Sequence, residues 1–254
     1  MIRTVKRLVA AAGLTALAVV CVAGDVSART SSGPFTLAPS RTQECHNLAY
    51  CFGIAGLWVV VPANGEATYL FGCPPRAATK GQYLLGGTDA LGSSSAVRVW
   101  YDGQLGAPIG KQEPGSSLLF HAVTTNGKQG SFQPLVGCIN LTQASKRSTV
   151  SARQAAAQPA PRSAPVPDWH ATRLILAPGD AQPASTQCLA KEKLVGSWST
   201  VAYGTSGPPH LPPAGAVKIV THDVGNTVEA QITTAKSIPY LIHIQIGAVC
   251  EPIS

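Results

Sequence analysis

Ile242-His243-Ile244-Gln245-Ile246 alternates apolar and polar residues without a break. Successive side chains of a strand point to opposite faces, so the three isoleucines share one face and His243 and Gln245 a polar one. The same alternation runs through Val97 to Asp102, where Val97, Val99 and Tyr101 oppose Arg98, Trp100 and Asp102. Glycine dipeptides punctuate such runs. Asn64-Gly65 separates Trp58-Val59-Val60-Val61 from Thr68-Tyr69-Leu70-Phe71, Asp102-Gly103 closes the second run, and Asn126-Gly127 lies between Leu118-Leu119-Phe120 and Phe132. Asn-Gly and Asp-Gly accept positive φ and predict hairpins. With 25 Gly and 20 Pro in 254 residues, a break falls about every six residues. That suits many short strands and argues against long helices. The expected fold class is all-β.

Residues 143–173 read as a linker. Ten of the 17 residues from Ser151 to Pro167 are Ala or Pro, and no aromatic occurs from Gln133 to Asp168. Such a stretch buries too little apolar surface to offset the entropy of ordering it. It divides the chain into an N-terminal piece (29–142) and a C-terminal piece (174–254). About seven strands in each predict two tandem small β-sandwich domains joined by this Ala/Pro-rich linker. Shared landmarks in the same order predict a tandem repeat. They are Leu37-Ala38-Pro39 and Leu176-Ala177-Pro178, Gly56-Leu57-Trp58 and Gly196-Ser197-Trp198, then Ala96-Val97-Arg98-Val99 and Ala216-Val217-Lys218-Ile219. Each piece also ends in a cysteine, Cys138 or Cys250.

Cys188, Trp198 and Cys250 resemble the Cys…Trp…Cys spacing of immunoglobulin domains. Ala248 stands where that family has a tyrosine, and only four residues follow Cys250. The likeness therefore extends to an immunoglobulin-like shape and not to the family.

The N-terminus predicts export from the cell. Arg3, Lys6 and Arg7 precede an uncharged apolar run from Leu8 to Gly24, which contains Cys21, and Val26-Ser27-Ala28 supplies small residues before a cut after Ala28. This pattern predicts a signal peptide over 1–28. The 17-residue run is shorter than the roughly 20 residues a membrane span needs. A secreted, extracellular product with no membrane span is expected. In that setting Cys45, Cys51, Cys73, Cys138, Cys188 and Cys250 read as three disulfides. Cys188–Cys250 is one. Cys45–Cys138 with Cys51–Cys73 is the favoured remainder, and Cys45–Cys51 with Cys73–Cys138 the alternative.

The net charge of +7 and pI near 9.2 raise the question of nucleic acid. The charge is not spread over a domain: 35–142 sums to +1, 174–254 to −1, and 143–173 to +4. Both domains are near neutral, so nucleic acid is excluded as the expected partner, and the basic linker suits an anionic envelope polymer.

Signatures of catalysis are missing from the sequence. It holds no Gly-x-Ser-x-Gly, no paired carboxylates and no phosphate-cradling loop. Glu44, Glu66, Asp89, Glu113 and Glu229 stand alone in loops, His121 ends a strand, His170 falls in the linker, and His222-Asp223 belongs to a turn. No cofactor and no metal are expected. Trp58 and Trp198 read as core. Trp100, on the polar side of its strand between Arg98 and Asp102, is the binding candidate. The sequence thus points to an exported, non-catalytic module that binds an envelope glycan or a surface protein. A secreted hydrolase with a dispersed site and a purely structural spacer are the alternatives. No oligomeric state follows from the sequence.

Overall fold

The computed structural model describes residues 51–73, 83–103, 117–140 and 167–253. The expected signal peptide, Cys45 and residues 143–166 of the expected linker lie outside them. The described residues are all-β, without a helix, and belong to one compact unit. Their strands are β1 (Cys51–Ala55), β2 (Trp58–Val61), β3 (Glu66–Gly72), β4 (Tyr83–Gly92), β5 (Val97–Asp102), β6 (Ser117–Thr124) and β7 (Gly130–Asn140) in the first half. The second half holds β8 (Asp168–Leu176), β9 (Ala181–Gln187), β10 (Glu192–Tyr203), β11 (Val217–Val224), β12 (Thr227–Thr234) and β13 (Ile242–Pro252).

A central seven-stranded sheet crosses both halves. β7 carries β4 on one edge and β1 followed by β2 on the other, and the order continues through β10 and β13 to β8. β1 and β2 form one strand interrupted at Gly56-Leu57. The interruption lies opposite Pro134, whose carbonyl accepts from Gly56 N at 2.8 Å. A Cβ on Gly56 would lie 2.7 Å from the Pro134 ring, so only glycine lets the chain pass it. Two three-stranded outer sheets, β3-β6-β5 and β11-β12-β9, complete the architecture.

The halves meet inside the central sheet, where β2 pairs with β10 through Val59↔Ala202 and Trp58↔Tyr203. Strand alternation at this seam divides the hydrophobic residues between two cores. Val59, Val61 and Ala202 enter the core beneath β3-β6-β5 with Tyr69, Phe71, Phe120 and Phe132. Val60, Val201 and Tyr203 enter the core beneath β11-β12-β9 with Ile242, Ile244 and Ile246. The two cores thus lie on opposite faces of one sheet. An unbroken Trp58-Val59-Val60-Val61 run is what a strand buried on both sides requires.

Several sequence expectations are corrected here. The stretch expected as linker to 173 ends earlier, because β8 starts at Asp168 and pairs with β13 from Cys250 to Ile242. His170 is therefore a strand residue. Asn64-Gly65 and Asn126-Gly127 are not hairpin turns. β2 and β7 lie in the central sheet, while β3 and β6 lie in an outer one, so each turn carries the chain from one sheet to the other. Gly127 has φ +65°, whereas Gly65 is not among the glycines of positive φ.

Both halves follow one connectivity if β1 and β2 count as a single strand. The central parts run β1/β2-β7-β4 and β8-β13-β10, and the outer parts β3-β6-β5 and β9-β12-β11. Ala96-Val97-Arg98-Val99 and Ala216-Val217-Lys218-Ile219 open the corresponding strands β5 and β11. Trp58 and Trp198, matched by sequence, do not correspond, since one lies on β2 and the other on β10. Both are nonetheless buried as expected.

Cys73 follows β3 and bonds to Cys138 on β7. Cys188 follows β9 and bonds to Cys250 on β13. Each bond ties an outer sheet to the central one, with Cα atoms 5.7 Å apart in both cases. The favoured Cys45–Cys138 and Cys51–Cys73 pairing is replaced by the alternative at Cys73 and Cys138. Cys73 directly follows β3, which lies in an outer sheet away from β1, and its sulfur meets Cys138 on β7.

Candidate functional site

The outward side of β3-β6-β5 forms a grid of three rows. Register places Thr68, His121 and Trp100 side by side, with Glu66, Val123 and Arg98 in one neighbouring row and Leu70, Leu119 and Asp102 in the other. Arg98, Trp100 and Asp102 therefore share a face, as their alternation predicts, and the structure adds His121 and Glu66 to them. Trp100 is 42% exposed. Its ring stands parallel to His121, with centroids 5.5 Å apart and planes 12° from coplanar.

His121 is held from both sides. Its Nδ1 lies 2.5 Å from Glu66 Oε1 and its Nε2 3.2 Å from Asp102 Oδ2. Thr68 Oγ1 lies 3.3 Å from the same Nδ1. A neutral imidazole donates from one nitrogen only, and the imidazolium from both, so the neutral ring is held by one carboxylate and the imidazolium by both. Fixing His121 fixes the indole stacked on it. Although hydroxyl, imidazole and carboxylate are all present, Glu66 makes the short contact to Nδ1 and the face is open to water. The closest contacts of the His121 ring are thus to carboxylates, with the Thr68 hydroxyl farther from Nδ1 than Glu66.

His121 lies within β6 rather than at a strand end, and Glu66 is not an isolated loop acid. A signal for both was available: each opposes a residue of an alternating strand once the β3-β6-β5 register is known, and only pairing supplies that register. Val220 occupies on β11 the place of Trp100 on β5 and is 36% exposed, but carries no such surroundings. His222 and Asp223 lie on β11 instead of in a turn, and Asp223 accepts from Ser197 Oγ at 3.3 Å.

A second cluster closes the β9–β10 loop. Glu192, buried, accepts from Leu189 N at 2.8 Å and lies 2.8 Å from His170 Nε2. The Leu189 N–H, followed by His170, holds its carboxyl below the ordinary carboxylate range despite burial. Asp168 beside it is raised, by loss of solvent and by the Glu192 charge. Donor atoms of His170, Glu192 and Cys250 come within 4.8 Å of one another. Cys250 is bonded to Cys188, so its sulfur is no thiolate ligand, and the cluster is a loop clasp rather than a metal site. His243 on β13 is half-buried, and loss of solvent lowers its pKa.

A cleft of about 240 Å³ runs between the β2–β3 turn and the β10–β11 loop, lined by Val60, Glu66, Tyr203 and Pro212 among others. Among the described residues, no helix is long and apolar enough to cross a membrane. The two disulfides are compatible with an oxidising, extracellular setting. No family model, curated protein or solved structure matches the chain.

Proposed function

We propose that the chain is an exported, non-catalytic binding module of the cell surface, engaging its partner through the outward face of β3-β6-β5. The observation that carries this reading is Trp100, exposed yet held rigid against His121 by carboxylates from the strands on either side. Large aromatics left on a surface in a fixed pose lose little entropy on binding. The signal peptide that the sequence predicts over 1–28 and the disulfides between described residues support the location. The shared connectivity and the matching disulfide positions support two copies of one immunoglobulin-like sandwich, joined edge to edge. The basic segment between the halves supplies a weak, salt-sensitive attraction to anionic wall polymers.

Sedimentation of the purified protein with isolated cell envelope, at low and high salt, tests this. Retention that persists at high salt and is lost in Trp100→Ala is expected. Absence of retention at any salt contradicts an envelope role. Retention that disappears with salt and ignores Trp100 assigns adhesion to the basic segment instead.

A further inference from the structure

We infer that the Trp100 face binds a neutral sugar chain, one pyranose ring lying against the side of the indole turned away from His121. This rests on the surface-binding reading above and names the ligand class of the same site.

The pose of the indole comes first. Trp100 stands on β5, the edge strand of β3-β6-β5, and His121 on β6 covers one of its faces. Among the described residues no strand pairs with β5 on its other side, and Trp100 keeps 42% of its surface exposed. An upright aromatic ring with one face free suits a flat, C–H-lined partner, which is what one side of a pyranose presents.

The polar neighbours come second. Arg98 and Asp102 flank Trp100 two residues away along β5, so their Cα atoms stand about 6.6 Å to either side of it. One offers a rigid fork of donors and the other offers only acceptors. Sugar hydroxyls both donate and accept, so a chain laid along β5 satisfies both residues while its ring stacks between them. Asp102 is 64% exposed at the side chain, leaving its carboxylate within reach of hydroxyl donors as well as of His121.

The charge pattern separates sugars from rivals. Two carboxylates, Glu66 and Asp102, stand with Arg98 and the His121 imidazole around Trp100. Among the described residues around the ring these charges give no net positive field to draw a phosphate chain or an acidic polysaccharide. Protein-interface cores are depleted of charged residues, whereas here charged groups adjoin the anchoring ring on both sides. A neutral, hydroxyl-rich ligand remains.

The test uses the full-length secreted protein and envelope in three forms: untreated, digested with protease, and oxidised with periodate, which cleaves vicinal diols. Binding to cellulose, an insoluble neutral β-glucan whose rings carry 2,3-diols, is measured in parallel before and after periodate. Retention is expected to survive protease and high salt, and to fall roughly tenfold after periodate and in Trp100→Ala, the effect of losing one anchoring ring. Trp100→Tyr, which keeps a ring at this exposed site, should retain part of the binding. Retention abolished by protease but unaffected by periodate overturns the sugar assignment while leaving Trp100-dependent surface binding intact. Retention abolished by salt alone overturns it in favour of an anionic polymer. Envelope retention equal in wild type and Trp100→Ala overturns the surface-binding reading beneath it.

Discussion

The Gln245 side chain grips the peptide of Leu70 by both its polar ends. Its Oε1 accepts from Leu70 N at 2.7 Å and its Nε2 donates to Leu70 O at 3.0 Å. Among the described residues β3 pairs only with β6, so this amide stands in for a neighbouring strand along the other edge of β3. Arg173 Nη2 adds a bond to Leu70 O at 2.7 Å, and Thr200 Oγ1 donates to Thr68 O. Side chains of the second half thus cap an edge of the first, which would otherwise offer unpaired backbone groups to other chains.

Gln245→Leu should destabilise the protein by about 2–4 kcal/mol, because it strands buried donors at Leu70 N and Trp198 Nε1. The latter now donates to Gln245 Oε1 at 3.1 Å. Urea denaturation reads the loss, and an unchanged midpoint would show that the amide does not hold β3.

Gly247 lies under Trp198 so closely that a Cβ there would stand 2.0 Å from the indole. Gly247→Ala should cost about 1–3 kcal/mol through overpacking. Gly207, with nothing within 4 Å of its Cβ position, serves as control, and Gly207→Ala should stay within about 0.5 kcal/mol. Equal effects of the two in thermal melts would refute the contact.

Peptide mapping without reduction should recover Cys73 joined to Cys138 and Cys188 joined to Cys250. The bonds span 65 and 62 residues, for which the chain-entropy relation gives roughly 4 kcal/mol each. Replacing both Cys73 and Cys138 by Ser should lower stability by about that amount. A peptide joining Cys51 to Cys73 would contradict the observed bond.

Much of the fold was legible in local sequence, and what was not depended on pairing. Alternation identified β5 and β13 because one face of each is apolar, and it placed Arg98, Trp100 and Asp102 together. Alternation could not show that the polar face of β13 is buried at Gln245, because that burial comes from β3, far away in sequence. Asn64-Gly65 signalled a reversal, but a turn between sheets and a hairpin turn draw on the same residues. His121 and Glu66 were invisible as a pair for the same reason: 55 residues separate them, and only the register of β3 with β6 brings them together.

Acid and alkali should each act through one buried group. Glu192 has its folded pKa lowered, chiefly by the Leu189 N–H. Its stabilisation is full above the ordinary carboxylate range and is lost as pH falls through the folded value. The gap in Tm between wild type and Glu192→Gln should therefore be larger at neutral pH than in strong acid, and a constant gap would refute it. Burial, and then Tyr240, push Tyr203 up to about 12. Above pH ~10 the unfolded chain loses a proton that the folded one keeps, so stability should fall with rising pH. Tyr203→Phe should flatten that fall in alkaline melts.

Hydrogen exchange of the purified protein, with and without envelope fragments, locates the contact directly. Protection on binding concentrated in β5 and β6, over 97–102 and 117–124, and absent from Trp100→Ala, is the expected result. Protection confined to β11 and β12, or unchanged by the substitution, would contradict a surface-recognition face built around Trp100.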